Sequence, residues 1–136
     1  MSDKVFFDTN IWIYAHIQQP GEARCMTAAQ LVAQTSGVVV STQILNEYYS
    51  VALKNRAADA WIQANIEAMI SRCEVLPVTV TILRSGHRLK LAHQISLWDA
   101  FVVAAALESG CSTLYSEDLQ PGQVFDGRLK VVNPFL

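Results

Sequence analysis

The sequence predicts an α/β domain built on a small, mostly parallel sheet, and three observations carry that expectation. Short apolar runs rich in β-branched and aromatic residues alternate along the chain with longer segments of helical periodicity. Those runs are continuously apolar instead of alternating with polar residues, as strands are when helices cover both faces of a sheet. The 136 residues contain no internal repeat, low-complexity tract or long linker, so a single domain over 1–136 is expected.

Val5–Asp8 is the first strand. The polar residues that follow, Thr9 and Asn10, also suit an Asx-turn, or a cap in which Asp8 opens a helix near Ile11. Gln19-Pro20-Gly21 punctuates the chain, and the alanine-rich stretch Glu22 to Thr35 has helical spacing until Ser36-Gly37 ends it. Val38-Val39-Val40 is a buried strand. Thr42 is placed as N-cap of a helix over Gln43–Lys54, whose stripe is Ile44, Leu45, Tyr48, Val51 and Ala52. Ala58 to Arg72 reads as the next helix, with Trp61, Ile62, Ile66, Met69 and Ile70 inward. Val75-Leu76 is a brief strand before Pro77, and Thr79 or Thr81 opens a helix reaching about His93. Ser96 caps a last long helix, Leu97–Glu108, with Gly110 at C′. Ser112–Ser116 and Arg128–Val132 are the fourth and fifth strands.

Composition narrows the function. Hydrophobic residues make up 51% of the chain and charged ones 16%, which excludes a disordered protein and suggests apolar surface covered by a partner or a second copy. A net charge of −2 gives no global attraction to polyanions, so local basic groups or a metal must hold any such substrate. The cysteines, Cys25, Cys73 and Cys111, form no C-x-x-C pair and read as reduced thiols. The longest uncharged apolar run, Ala100–Leu107, is far short of the ~20 residues that span a bilayer. No charged region followed by a long apolar stretch precedes Asp8, so a cytoplasmic protein without membrane association is expected.

Four acids stand where acids are scarce: Asp8 at a strand exit, Glu47 beside an apolar helix stripe, Asp99 in an apolar first helical turn, and Asp118 beyond a strand. Each has a plain alternative. Asp8 can be a cap, Glu47 a surface glutamate, Asp99 the N3 acid of a capping box with Ser96, and Asp118 a solvated loop acid. Together they suggest a shared cation. Two carboxylates about 4 Å apart repel by roughly 4 kcal/mol at an effective dielectric of about 20, so a converging set either takes up protons or binds a cation. Oxygen-only ligands suit Mg²⁺ or Mn²⁺, with Asn10 and Ser116 orienting the acids. Hydrolysis of a phosphodiester by metal-activated water is the reaction such a site performs best.

The ordered set Val5-Phe6-Phe7-Asp8-Thr9-Asn10, Glu47, Trp98-Asp99-Ala100 and Tyr115-Ser116-Glu117-Asp118 resembles the PIN-domain ribonucleases. The closing stretch, from Ser116-Glu117-Asp118-Leu119-Gln120 through Gly122-Gln123-Val124-Phe125-Asp126-Gly127 to Val132-Asn133-Pro134-Phe135, resembles the VapC-type toxins. The resemblance implies a five-stranded parallel sheet in the order 3-2-1-4-5 with helices on both faces. It also implies an Mg²⁺- or Mn²⁺-dependent endoribonuclease, the toxin of a type II toxin–antitoxin pair, inhibited by a cognate antitoxin and dimeric. Asp8, Glu47, Asp99 and Asp118 would be its catalytic and metal-holding acids, with Asn10 and Ser116 in support. Many relatives carry a further aspartate where this chain has Gln120, and Glu117 is the residue that could share that role.

Other signals are weaker. No glycine-rich phosphate loop, H-E-x-x-H or G-x-S-x-G occurs, and His16, His87 and His93 lack paired metal spacing. Asn10 argues against a phosphatase with Asp8 as nucleophile, which would want a second aspartate there. Arg84, His87, Arg88 and Lys90 form a basic helix face, with Ile82, Leu83 and Leu89 as its apolar side. That face is either solvated or a contact for RNA phosphates, and Lys54 and Arg56 are a second candidate. The rival function is a non-catalytic PIN-fold module that binds RNA or protein.

Overall fold

The computed structural model describes residues 3–136. The chain runs β1 (Val5–Phe7), α1 (Thr9–His16), α2 (Ala23–Gln34), β2 (Val38–Ser41), α3 (Thr42–Lys54), α4 (Asp59–Arg72), β3 (Glu74–Leu76), α5 (Val80–His93), α6 (Leu97–Glu108), β4 (Thr113–Tyr115), β5 (Val124–Phe125) and β6 (Leu129–Val132). The sheet order is β3-β2-β1-β4-β6-β5, parallel throughout except for β5, which pairs antiparallel with β6. The five strands expected from sequence lie in the expected order. The sixth, β5, is an addition at the edge.

That edge hairpin turns on Asp126 and Gly127, both at positive φ (50° and 68°), and the Arg128 amide closes it on the Phe125 carbonyl at 3.1 Å. Aspartate and glycine are the residues that tolerate such a turn, so the Asp-Gly pair was a legible hairpin signal. Strands β1 and β2 are buried at every residue, which requires cover on both faces. Phe6, Phe7, Val39, Val40 and Leu114 fill the centre, and Trp12 of α1 meets Phe7 edge to face at 5.4 Å. Helix α6 is apolar nearly all round, with Ala100 and Val102–Leu107 buried. Among the described residues no helix is long and apolar enough to cross a membrane.

Several local expectations need correction. The first strand ends at Phe7, and Asp8 is the N-cap of α1, accepting from the Thr9 amide at 2.8 Å. Ser41, not Thr42, caps α3: its hydroxyl accepts from the Ile44 amide at 3.2 Å. The Thr42 hydroxyl instead accepts from the Val78 amide at 3.1 Å, tying α3 to the segment after β3. On α4 only Ile62 and Met69 are buried, while Trp61 and Ile70 are each 40% exposed. Helix α4 packs on one side only, so the apolar stripe is wider than the surface it covers. Leu83 of α5 is likewise 41% exposed, with Ile82 and Leu89 buried. Thr79, Ser96 and Gly110 take their expected capping places. The cysteines are free, Cys25 and Cys111 being buried and Cys73 half-buried.

Candidate active site

Strand β1 lies between β2 and β4, and successive strands add to the sheet on opposite sides of it. The crevice beyond its carboxyl end is therefore the switch point at which α/β sheets bind ligands. Phe7 is in register with Tyr115, so the next residues on the two strands, Asp8 and Ser116, stand side by side. The Asp8 amide donates to the Tyr115 carbonyl at 2.9 Å. The Ser116 hydroxyl donates to Asp8 Oδ2 at 2.8 Å and accepts from the Asp118 amide at 3.1 Å. One fully buried hydroxyl thus fixes the Asp8 side chain and the backbone that presents Asp118.

Asp99 enters from the first turn of α6. Its amide donates to the Ser96 hydroxyl at 3.1 Å, which is half of a capping box. The reciprocal bond is absent among the described residues, and the Asp99 carboxylate turns to the crevice instead. One carboxylate oxygen from each of Asp8, Asp99 and Asp118 lies within 4.8 Å of the other two. Capping and clustering, rivals in sequence, coexist here: Asp8 caps α1 through Oδ1 and takes the Ser116 bond at Oδ2, and only the amide of Asp99 is engaged by the Ser96 cap, which leaves its carboxylate to the crevice.

Charge in this arrangement is unfavourable by itself. Asp8 is only 7% exposed. Burial pushes its carboxyl up from 3.8 to about 6, and the nearby Asp118 and Asp99 add to the rise, while the Ser116 and Thr9 bonds oppose it. Asp118 is also raised, first by desolvation and then by Asp99 and Glu117. A divalent cation bound by the three oxygens would offset this cost, and an all-carboxylate donor set suits Mg²⁺ or Mn²⁺ better than zinc. The residues fit such an ion.

The crevice, about 570 Å³, is lined by Asp8, Thr9, Asn10, Glu47, Trp98, Asp99, Val102 and Asp118, with Ser50, Val51 and Lys54 completing its α3 wall. Glu47 faces the same space outside the three-oxygen group. Its oxygens accept from the Thr9 hydroxyl at 2.7 Å and from Gln43 Nε2 at 2.8 Å. Gln43 Nε2 also lies 3.3 Å from the Trp98 carbonyl, so it links α3 to the start of α6. Thr9 and Trp98 were noted in sequence only as neighbours within motifs, and Gln43 only as the start of a helix, none of them as a site residue. Their signals were adjacency to Asp8, the i−4 position from Glu47, and adjacency to Asp99.

Glu117 is engaged elsewhere. It accepts from the Tyr14 hydroxyl at 2.7 Å and from Arg24 at 3.2 Å, and the Arg24 guanidinium lies over the Tyr14 ring at 4.7 Å. Tyr14 is pushed up to about 12 by burial and by this carboxylate, so it remains a donor at neutral pH. Gln120 is exposed. Arg84, Arg88 and Lys90 are exposed on α5 and do not line the crevice, and Arg88 lies 3.8 Å from Asp126. The basic group at the crevice is Lys54, seven residues and two helical turns beyond Glu47.

The PIN domain family model matches residues 5–124. This chain belongs to the PIN domain family. A sequence search of curated proteins finds no match. Solved structures that superpose on this PIN domain include a toxin and a toxin–antitoxin complex. VapC20 of Mycobacterium tuberculosis, described as a sarcin-ricin loop cleaving toxin, is 25% identical, with a TM-score of 0.68 over 85% of this chain and 90% of that one. A toxin–antitoxin complex from Klebsiella pneumoniae is 20% identical, with a TM-score of 0.71 over 96% and 98%. DNA-bound VapBC from Salmonella typhimurium is 22% identical, with a TM-score of 0.64 over 96% and 98%. The last two, at these identities, speak for the fold alone.

Proposed function

We propose that this PIN domain is an Mg²⁺- or Mn²⁺-dependent endoribonuclease and the toxin of a type II toxin–antitoxin pair. It acts in the cytoplasm as a homodimer until a cognate antitoxin inhibits it. The observation that carries the reading is the convergence of Asp8, Asp99 and Asp118 at the switch point of a PIN fold. The structure of VapC20, of the same fold and 25% identical, supports the toxin assignment.

Asp8, Asp99 and Asp118 would hold the ion, and Glu47, its oxygens fixed by Thr9 and Gln43, completes the negative wall of the crevice. When bound, the ion supplies charge neutralisation at an RNA phosphate and a water nucleophile at neutral pH. The chain's own work is positional. Ser116 and the Thr9 amide hold the Asp8 carboxylate in one orientation, and Asn10 lines the crevice beside it. Of the three acids Asp8 is buried, Asp99 half-buried and Asp118 exposed, and the pre-oriented Asp8 carboxylate needs no reorganisation when substrate enters.

The test is RNA cleavage with Mn²⁺ by the parent, Asp8→Asn and Asp99→Asn, each checked for folding. The parent should cut and both variants should lose at least a hundredfold in rate, with chelation stopping the parent. Metal-independent cleavage, or full activity in both variants, would falsify the reading.

A further inference from the structure

The crevice has an aromatic rim. Trp98, one residue before Asp99, is 62% exposed although it is the largest side chain lining the acid site. Its ring meets Phe101 edge-on, with centroids 6.1 Å apart and planes at 71°. Phe101 in turn sits against Gly86 of α5, so closely that a Cβ there would lie 2.3 Å from its ring. The Trp98 backbone is held through its carbonyl by Gln43. The indole is therefore propped from one side on a fixed base, with much of its surface left to solvent.

Trp98, with Glu47 and Ser50, also lines a second hollow adjoining the acid crevice. That hollow, of about 440 Å³, is walled by Val78 and Phe101 and bears Thr42, Gln43 and Asn46. Lys54, at the end of α3, lines the same acid crevice and makes no ion pair among the described residues. A flat π surface, amide and hydroxyl groups in the adjoining hollow, and a cation in the same crevice match the parts of one nucleotide and its neighbour. Stacking needs no charge, which matters in a crevice whose acids repel phosphate.

Building on the ribonuclease reading above, we propose that Trp98 is the platform on which an unpaired RNA base stacks beside the phosphate that is cut. Lys54 contacts a neighbouring phosphate in the same crevice. A base inside a duplex has both faces covered and could not use this platform. Trp98 contacts substrate and sets its form, while the acids perform the chemistry.

The experiment measures binding of a short single-stranded oligoribonucleotide, and of the same sequence fully paired, to Asp8→Asn protein with Mn²⁺. Trp98→Ala and Trp98→Phe are then introduced into that background. Alanine should weaken single-strand binding about tenfold, the effect of losing one stacked base, while phenylalanine keeps most of it. The slope of log affinity against log salt should not change with Trp98. In Lys54→Gln it should become shallower by roughly 0.7, one phosphate contact. Duplex should bind weakly and without regard to Trp98. In the cleaving protein, Trp98→Ala should raise KM about tenfold at little change in kcat.

Equal single-strand affinity in Trp98→Ala overturns the proposal, and so does duplex binding that depends on Trp98 equally. Loss of a protein partner's binding with RNA affinity unchanged overturns it as well, since the residue then belongs to a protein contact. If the parent cuts RNA while Trp98→Ala keeps its KM, stacking fails and the nuclease reading stands. If the parent cuts no RNA but the binding pattern holds, the nuclease reading fails and stacking stands.

Discussion

The Ser116 hydroxyl lies between Asp8 and Asp118, donating to the carboxylate of one at 2.8 Å and accepting from the amide of the other at 3.1 Å. Removing it frees both acids at once. Ser116→Ala leaves a buried Asp8 oxygen without its donor, a loss of about 1–3 kcal/mol in stability near neutral pH. Mn²⁺ affinity should fall about 10- to 100-fold, as it does when a group orienting a metal ligand is deleted. Calorimetric titration with Mn²⁺ and thermal unfolding measure the two effects. Parental Mn²⁺ affinity in Ser116→Ala would mean that the hydroxyl only fills space.

Asp8 makes the site pH-dependent with a definite sign. Its folded-state carboxyl titrates at about 6 against 3.8 when unfolded, so the folded state binds the extra proton. The metal-free protein therefore has its full contribution from Asp8 below about pH 4 and loses it as the pH rises through 6. The loss amounts to at most about 3 kcal/mol by pH 8. Asp8→Asn should accordingly be more stable than the metal-free parent at pH 8, with the gap closing toward pH 4. Mn²⁺ binding should show the opposite trend, weakening about tenfold per unit below pH 6 as protons compete. Denaturant titrations across pH, with and without Mn²⁺, measure both. A stability gap that widened toward pH 4 would contradict this.

Thr9 places Glu47. The Thr9 hydroxyl is buried and donates to Glu47 Oε2 at 2.7 Å. Thr9→Val keeps the shape and removes the donor. The fold should lose about 1 kcal/mol, while the cleavage rate falls on the order of tenfold as Glu47 loses its fixed orientation. A rate loss fully explained by unfolded protein at the assay temperature would assign Thr9 to packing alone.

The parts of this molecule legible in sequence are those set by short-range patterns. Val38–Val40 needed only its β-branched run, and the helix from Ser96 to Gly110 only its caps. Helix α1 was readable merely as a cap alternative at Asp8, because Thr9–His16 is too apolar to show an amphipathic period, with Ile11, Trp12 and Ile13 all buried. Trp61 and Ile70 were misplaced because periodicity gives a helix's apolar side but not how much of it a neighbour covers. At the site, the acids were found by their incongruous settings. Their convergence and the support of Ser116 were expected, but the partners of Glu117 were not, since it turns to Arg24 across 93 residues of sequence. Such contacts arise from the order of strands, which single residues do not encode.

Gly86 is the position where α5 admits Phe101, and a methyl group there would lie 2.3 Å from the ring. In an open helix, glycine to alanine gains about 1 kcal/mol, yet here Gly86→Ala should lose about 1–3 kcal/mol through overpacking. The displaced Phe101 should also shift Trp98, changing its fluorescence maximum. Gly86→Ala with Phe101→Leu, which makes room for the methyl, should recover part of the stability. A stabilised single variant would show that Phe101 moves aside freely.

Glu117 separates the acids that meet from one that merely neighbours them in sequence. Its carboxylate is held by Tyr14 and Arg24, and no oxygen of it joins Asp8, Asp99 and Asp118. Glu117→Gln keeps an acceptor for Tyr14 and removes only the charge. Mn²⁺ affinity should stay within about twofold of the parent, and stability should fall by no more than about 1 kcal/mol, the scale of a partly exposed ion pair. The Tyr14 phenol, held near 12 in part by that charge, should titrate lower, as ultraviolet absorbance at high pH would record. A large fall in Mn²⁺ affinity with Tyr14 unchanged would instead make Glu117 a ligand, and would move the metal away from the three aspartates.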